Sequence, residues 1–242
     1  MSALLKLDNV SSGYGDLTIV RDVSFEIEES SITVLLGRNG AGKSTLLKTI
    51  AGLINASKGS ITFDDKEFVG VPAYRRQSSG IGFVMENKRV FKRLTVEQNL
   101  VFGTYALRLR RAATAERLEE AYERFPILAE KRKQAAGQLS GGQQQMLGIS
   151  QALISRPRFV MLDEPFSGLA PSIVAEVMET VRKLRDEEGR TLLVVEQAVE
   201  LALGLADSVL LLDVGKLVHT GPANEPGMRE LVENVYFSNH AG

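Results

Sequence analysis

Ile32-Thr33-Val34-Leu35-Leu36-Gly37-Arg38-Asn39-Gly40-Ala41-Gly42-Lys43-Ser44-Thr45 passes from an apolar, β-branched run into a glycine-rich loop, and a helical pattern from Leu46 to Leu53 follows. The loop fits Gly-x-x-x-x-Gly-Lys-Ser/Thr in a strand, loop and helix context. Backbone N–H groups wrap a polyphosphate closely only where side chains do not intervene, which is the use of the glycines. The helix that starts here aims its positive end at the same phosphates. Lys43 then supplies a point charge to the β- and γ-phosphates, and the Ser44 hydroxyl is placed to ligate Mg²⁺. The expected nucleotide contacts are Gly37, Asn39, Gly40, Ala41, Gly42, Lys43, Ser44 and Thr45. The alternative is an ordinary glycine-rich turn, and the bare pattern arises by accident in roughly one chain in a hundred of this length.

The composition suits a globular chain: 44% of its 242 residues are hydrophobic and 24% charged, enough apolar material for a core. Twenty-nine basic against 30 acidic residues give a net charge of -1, which does not point to nucleic acid as a partner. Cysteine is absent, which excludes disulfides, thiolate zinc sites and cysteine nucleophiles. Met1 to Val10 carries Lys6 and Asp8 within its apolar pattern and does not read as a signal peptide. No uncharged apolar run reaches 18 residues, so no membrane span is expected.

Upstream of the loop, Leu4 to Val10 and Val23 to Ile27 read as short strands around a turn cluster, Ser11-Ser12-Gly13-Tyr14-Gly15. Ser60 to Phe63 is a further strand, Asp64-Asp65-Lys66 a turn, Ala73 to Ser79 a polar stretch, and Ile81 to Val84 a strand ending at Met85-Glu86-Asn87. From Thr95 to about Gln134 the pattern turns helical: Thr95-x-Glu97 reads as a helix start, and Ala112 to Phe125 is rich in Ala, Glu, Arg and Leu. Arg108, Arg110, Arg111 and Arg117 with Glu116, Glu119 and Glu120 read as a solvated face of near-neighbour pairs. A helix opens after Gly137-Gln138-Leu139-Ser140-Gly141-Gly142-Gln143 and runs to about Ser155. Strands at Phe159 to Leu162, Thr191 to Val195, Ser208 to Leu212 and Lys216 to His219, with helices at Ser172 to Glu188 and Ala198 to Leu205, imply a mostly parallel sheet with helices on both sides.

Asp163 and Glu164 follow the continuous apolar run Phe159 to Leu162, as expected where a strand buried on both faces delivers carboxylates at its C-terminal end. Asp163 suits a Mg²⁺ ligand and Glu164 a carboxylate that polarises a water in line with the γ-phosphate; a surface acidic pair is the alternative. Gly37 to Thr45, Leu139 to Gln143 and Phe159 to Glu164, in that order and spacing, resemble the ATP-binding subunit of an ABC transporter. The resemblance covers essentially the whole chain.

That resemblance implies an α/β, P-loop NTPase fold of ABC type, with a mostly parallel sheet core, an antiparallel N-terminal β subdomain and an inserted α-helical subdomain. Residues 1–242 would form a single ATPase domain, with 1–86 and 156–242 as the ATP-binding core and 87–155 as the helical signature subdomain. Tyr14 matches the aromatic that stacks on adenine. Ser140, Gly141, Gly142 and Gln143 match the signature that contacts ATP bound to the opposite subunit. Ser167-Gly168-Leu169-Ala170-Pro171 matches the loop crossing that interface, with Ala170 where many relatives have aspartate. Glu86 stands where the family usually has glutamine; its carboxylate is as hard a Mg²⁺ ligand as an amide oxygen, with added negative charge. Gln197 stands at the switch position usually held by histidine and is never cationic, so slower or partner-dependent turnover is expected. His219 and His240 lie away from it and read as surface residues.

Val84 to Phe91, Leu94 to Leu100, Ser167 to Pro171 and Val195-Glu196-Gln197 narrow the resemblance to the second ATPase subunit of branched-chain amino acid importers, although Met85 and Asn87 stand where relatives often have proline and glycine. This implies ATP and Mg²⁺ as cofactors and catalytic roles for Glu164 and Gln197. It implies a second ATPase subunit, two permeases docked around Asn87 to Leu100, a periplasmic solute-binding protein beyond them, and a place on the cytoplasmic face of the membrane. Other readings are an exporter or lipid-extraction ATPase, a urea or amide importer, a soluble ABC ATPase outside transport, and a degenerate regulatory ATPase.

Overall fold

The computed structural model describes residues 3–86, 90–105, 107 and 109–237. Its centre is a six-stranded sheet in the order β10-β9-β3-β8-β7-β6: β10 (Lys216–Pro222), β9 (Ser208–Asp213), β3 (Ile32–Leu36), β8 (Thr191–Val195), β7 (Phe159–Asp163) and β6 (Ile81–Val84). All pairings are parallel except β9 with β10. Every residue of β3, β7 and β8 is buried, the reason these strands read as near-continuous apolar runs, interrupted only by Thr33, Asp163 and Thr191, rather than as alternations.

The period of two still decides what lies on each face. Leu35, Met161, Leu193, Val195 and Leu210 join a core shared with α1 (Lys43–Ile50) and the strands of an antiparallel sheet. Val34, Leu162, Val194 and Leu211 point the other way. They pack with α7 (Pro171–Asp186), α8 (Val199–Leu203), α9 (Met228–Phe237) and the inserted helices.

The antiparallel sheet is β2-β1-β4-β5, from β1 (Ala3–Tyr14), β2 (Leu17–Glu28), β4 (Ala56–Phe63) and β5 (Lys66–Glu67). Here the expected turn over Ser11 to Gly15 is corrected: β1 continues to Tyr14, and only Gly15-Asp16 turns. Register shifts absorb the polar residues, and buried Ser12 finds its partner in Thr49 of α1, with oxygens 2.7 Å apart.

The insertion comprises α3 (Val96–Tyr105), α4 (Arg111–Arg124), α5 (Pro126–Glu130), a 3₁₀ turn at Ala136–Gln138 and α6 (Gly141–Leu153). Thr95 caps α3, but its reciprocal partner is Gln98: Gln98 N–H donates to Thr95 Oγ1 at 3.1 Å and Thr95 N–H to Gln98 Oε1 at 2.9 Å. The charged face also differs from a ladder of near neighbours, since Glu116 and Glu120 both pair with Arg156 beyond α6, while Arg117 is 3.8 Å from Glu120. Arg108, Asn87 and His240 lie outside the described residues.

Two helices escape the sequence pattern. Ala73–Ser78 is helix α2 rather than a polar stretch. Its Arg76, 1% exposed, spends its donors on the main-chain carbonyls of Thr49, Ile50, Phe68 and Val71. The other is α9, whose Met228, Leu231, Val232, Val235 and Tyr236 pack on the core at the 3.6-residue period.

Candidate functional site

Because β3, β6, β7 and β8 are parallel, the glycine-rich loop, Glu86, Asp163-Glu164 and Glu196-Gln197 all emerge at one sheet edge. This is where open α/β sheets bind ligands. Tyr14 ends β1, half exposed at 50%, in the hairpin whose Ile19 and Val20 side chains pack beside Gly42.

The loop's base is buried and its tip, Arg38 to Gly40, exposed. A Cβ on Gly37 would lie 2.2 Å from the Leu212 carbonyl oxygen. Gly42, with φ 103, turns the chain into α1; a side chain is strained there. The β9–β10 turn braces the loop through Gly215 N–H to Ala41 O at 2.9 Å. Lys43 is 5% exposed and donates to the carbonyls of Gly37 (2.6 Å) and Arg38 (3.1 Å). Burial lowers its pKa, opposed by Glu164, Asp163, Glu196 and Glu86.

Ser44 Oγ donates to Asp163 Oδ1 at 3.3 Å. Asp163 is pushed up to about 6, chiefly by burial, with Glu86 and Glu164 adding and the Ser44 bond opposing. Glu164 sits at φ 50, a left-handed conformation uncommon outside glycine and frequent at functional sites. Its N–H donates to Val195 O at 2.9 Å, while the Gln197 amide donates to its carboxylate. Among the described residues, no group of three or more His, Cys, Asp or Glu could hold a metal. A hydroxyl and flanking carboxylates instead suit Mg²⁺, which keeps waters and phosphate oxygens in its shell.

The signature lies on the insertion. Ser140 caps α6 in a reciprocal pair with Gln143, its Oγ accepting from Gln143 N–H at 3.3 Å and its own N–H donating to Gln143 Oε1 at 3.1 Å. Ser140 and Gly141 are exposed. A Cβ on Gly142 would lie 2.9 Å from Ile173 Cγ2 on α7, so the small residue lets the two helices touch.

Sequence reading missed three features of this edge. Glu196, 3% exposed, accepts from the N–H groups of Phe166 (3.0 Å) and Gln197 (3.2 Å), tying the segment after Glu164 to the end of β8. Its signal was a carboxylate directly after the apolar run Leu192 to Val195. Tyr236 bonds the Gly37 peptide; its helix α9 was not read from the sequence, and neither was its destination. Third is a groove of about 490 Å³ between α2, β6 and the insertion, lined by Leu53, Tyr74, Phe83, Phe91, Phe102 and Gln151. Buried Asn99 shapes its rim, accepting from Phe91 N–H at 2.8 Å and donating to the carbonyls of Phe91 (3.1 Å) and Thr95 (2.9 Å).

The family model described as ABC transporter matches residues 20–167. The chain is 43% identical over 215 residues to the high-affinity branched-chain amino acid transport ATP-binding protein BraG of Pseudomonas aeruginosa, covering 89% of this chain and 91% of that one. It is 37% identical over 222 residues to the probable branched-chain amino acid transport ATP-binding protein LivF of Archaeoglobus fulgidus, covering 92% and 93%. The lipopolysaccharide export ATP-binding protein LptB of Haemophilus influenzae is 31% identical, covering 97% of both. Among solved structures, the ADP conformation of an ATP-binding cassette of an ABC transporter aligns with a TM-score of 0.81 at 26% identity, covering 97% of this chain and 95% of that one.

Proposed function

We propose, from the premise that the chain belongs to the ABC transporter family, that this ATP-binding ATPase subunit powers uptake of branched-chain or related hydrophobic amino acids. The observation that carries the solute class is the near full-length likeness to two branched-chain amino acid transport ATP-binding proteins.

In this reading residues 1–86 and 156–242 form the ATP-binding core, and 87–155 the helical signature subdomain. The loop amides and Lys43 hold the phosphates, and Tyr14 offers its ring to adenine. Ser44, Asp163 and Glu86 would hold Mg²⁺, which when bound would neutralise phosphate charge. Glu164 takes the proton of the attacking water, and the Gln197 amide fixes which way its carboxylate faces. Exposed Ser140 and Gly141, with Gly142 and Gln143, present the α6 N-terminus to ATP on a second ATPase subunit. Hydrolysis is then completed only by a pair of subunits.

The aromatic groove receives a short helix of a permease; Phe91 and Phe102, ring centroids 4.5 Å apart and edge to face, stand 46% and 53% exposed. Of the docking stretch, Asn87, Lys88 and Arg89 lie outside the described residues. Among those described, no helix is long and apolar enough to cross a membrane; the subunit works from the cytoplasmic face, held by its permeases.

Gentle solubilisation of native membranes with a tagged chain, followed by uptake of labelled leucine in a strain carrying Glu164→Gln, tests this. Two permeases and a second ATPase should co-purify, and uptake should be lost. Co-purification with lipid-export components, or unchanged uptake, overturns the importer reading.

A further inference from the structure

Tyr236 lies in the last turn of α9 and meets Gly37, 199 positions earlier in the chain. Gly37 N–H donates to Tyr236 Oη at 3.1 Å, and Tyr236 Oη–H donates to Gly37 O at 3.1 Å. One phenol therefore satisfies both polar groups of the residue that opens the phosphate loop. The same Gly37 carbonyl accepts from Lys43 Nζ at 2.6 Å.

The helix carrying the phenol is held on two faces. Its apolar stripe, including buried Met228 and Val232, lies on the sheet. From its outer side Arg229 pairs with Glu200 on α8, the helix that begins just after Gln197. The hydroxyl is thus held by an element independent of the loop it bonds. Burial, with smaller contributions from Glu196 and Glu164, raises the Tyr236 pKa, so the phenol stays a donor.

We propose that Tyr236 is a positioning residue for ATP: it sets the Gly37 peptide and, through the shared carbonyl, lets the Lys43 ammonium turn to a phosphate. A lysine leaving a buried carbonyl strands an acceptor, and an unsatisfied buried acceptor costs more than the bond itself was worth. Tyr236 keeps that carbonyl bonded after Lys43 has moved. The C-terminal helix is then part of the nucleotide site rather than a peripheral brace. The inference rests on the reading that the loop binds ATP.

The test uses the purified full-length chain and Mg-ATP, with Tyr236→Phe and Lys43→Ala. Phenylalanine keeps the packed ring and removes only the hydroxyl, so ATP affinity should weaken about tenfold, the equivalent of one lost hydrogen bond of typical net strength. In ATPase assays of the assembled complex KM for ATP should rise by a similar factor, with kcat within about twofold. Each variant's ATP-induced rise in melting temperature, measured against its own nucleotide-free form, separates loss of binding from loss of stability. Wild-type affinity and an undiminished rise in Tyr236→Phe would overturn the inference while Lys43→Ala still abolishes binding. Wild-type binding in Lys43→Ala would overturn the loop reading and the inference with it.

Discussion

Replacing Arg76 by methionine keeps an unbranched stem and removes the guanidinium from a site that is 1% exposed. Four bonds disappear: Nε to Val71 O (2.8 Å), Nη1 to Thr49 O (2.9 Å) and Ile50 O (2.8 Å), and Nη2 to Phe68 O (2.5 Å). Bonds to a charged donor contribute about 1.5–3 kcal/mol each, a gross loss of roughly 6–12 kcal/mol by the same measure. Against this, the variant no longer buries a charge, a penalty of several kcal/mol in real interiors. Two acceptors also keep main-chain partners, Thr49 O from Gly52 N–H (3.1 Å) and Phe68 O from Val71 N–H (3.0 Å). The net cost is about 2–4 kcal/mol once desolvation is returned, with a contribution from the positive charge at the C-terminal end of α1. A chain of this size loses about 2–4 °C per kcal/mol, so the midpoint of thermal unfolding followed by circular dichroism should fall by roughly 4–16 °C. Gly52 supplies a second arm. With φ +75, its added Cβ would lie 2.6 Å from Arg76 Nε and 3.0 Å from Val71 O, so Gly52→Ala should cost about 1–3 kcal/mol and cost less in the Arg76→Met background. A fall below about 2 °C for Arg76→Met, or strictly additive effects of the two substitutions, would show that the guanidinium does not hold α2 to the end of the phosphate-loop helix.

Gln197→His should raise ATP hydrolysis of the assembled complex about threefold or more, as a charge-assisted contact outweighs a neutral one; an unchanged rate shows that Gln197 does not slow turnover. Gly142→Ala would press its Cβ to 2.9 Å from Ile173 Cγ2; it should lower hydrolysis about tenfold or more, cost about 1–3 kcal/mol of stability, and be partly rescued by Ile173→Ala, and absence of rescue refutes the packing account. Glu196 has its pKa raised, first by burial, so the native state holds the proton more tightly than the unfolded chain does. Its contribution to stability therefore falls as pH rises from the ordinary carboxyl range through the raised value. Glu196→Gln removes that dependence, and its melting temperature relative to wild type should improve between about pH 4 and about pH 8; a constant difference excludes Glu196 as the titrating group.

What was legible in the sequence, and what was not, divides on the kind of partner each residue takes. The buried strands announce themselves because all five residues of β3, β7 and β8 are buried and most of them are apolar, a pattern carried by the strand itself. The geometry brings Ser44 to Asp163 and Gln197 to Glu164, pairs of specific side chains whose types and spacing were visible beforehand. Arg76, Glu196, Asn99 and Tyr236 behave differently, since their principal partners are main-chain groups. Every residue carries a carbonyl and nearly every one an N–H, so such bonds leave no residue type at the far end to search for. Ser12 with Thr49 is the intermediate case: both ends are side chains, but hydroxyls this common give no signal across 37 positions, and the strand through Ser11 to Tyr14 therefore read as a turn. Chemistry that acts on a ligand leaves residue types on both sides of a contact, whereas the clamps holding that chemistry in place act on the backbone. The phosphate loop was thus legible, while Tyr236, which fixes its first peptide, became visible only when α9 was folded against it.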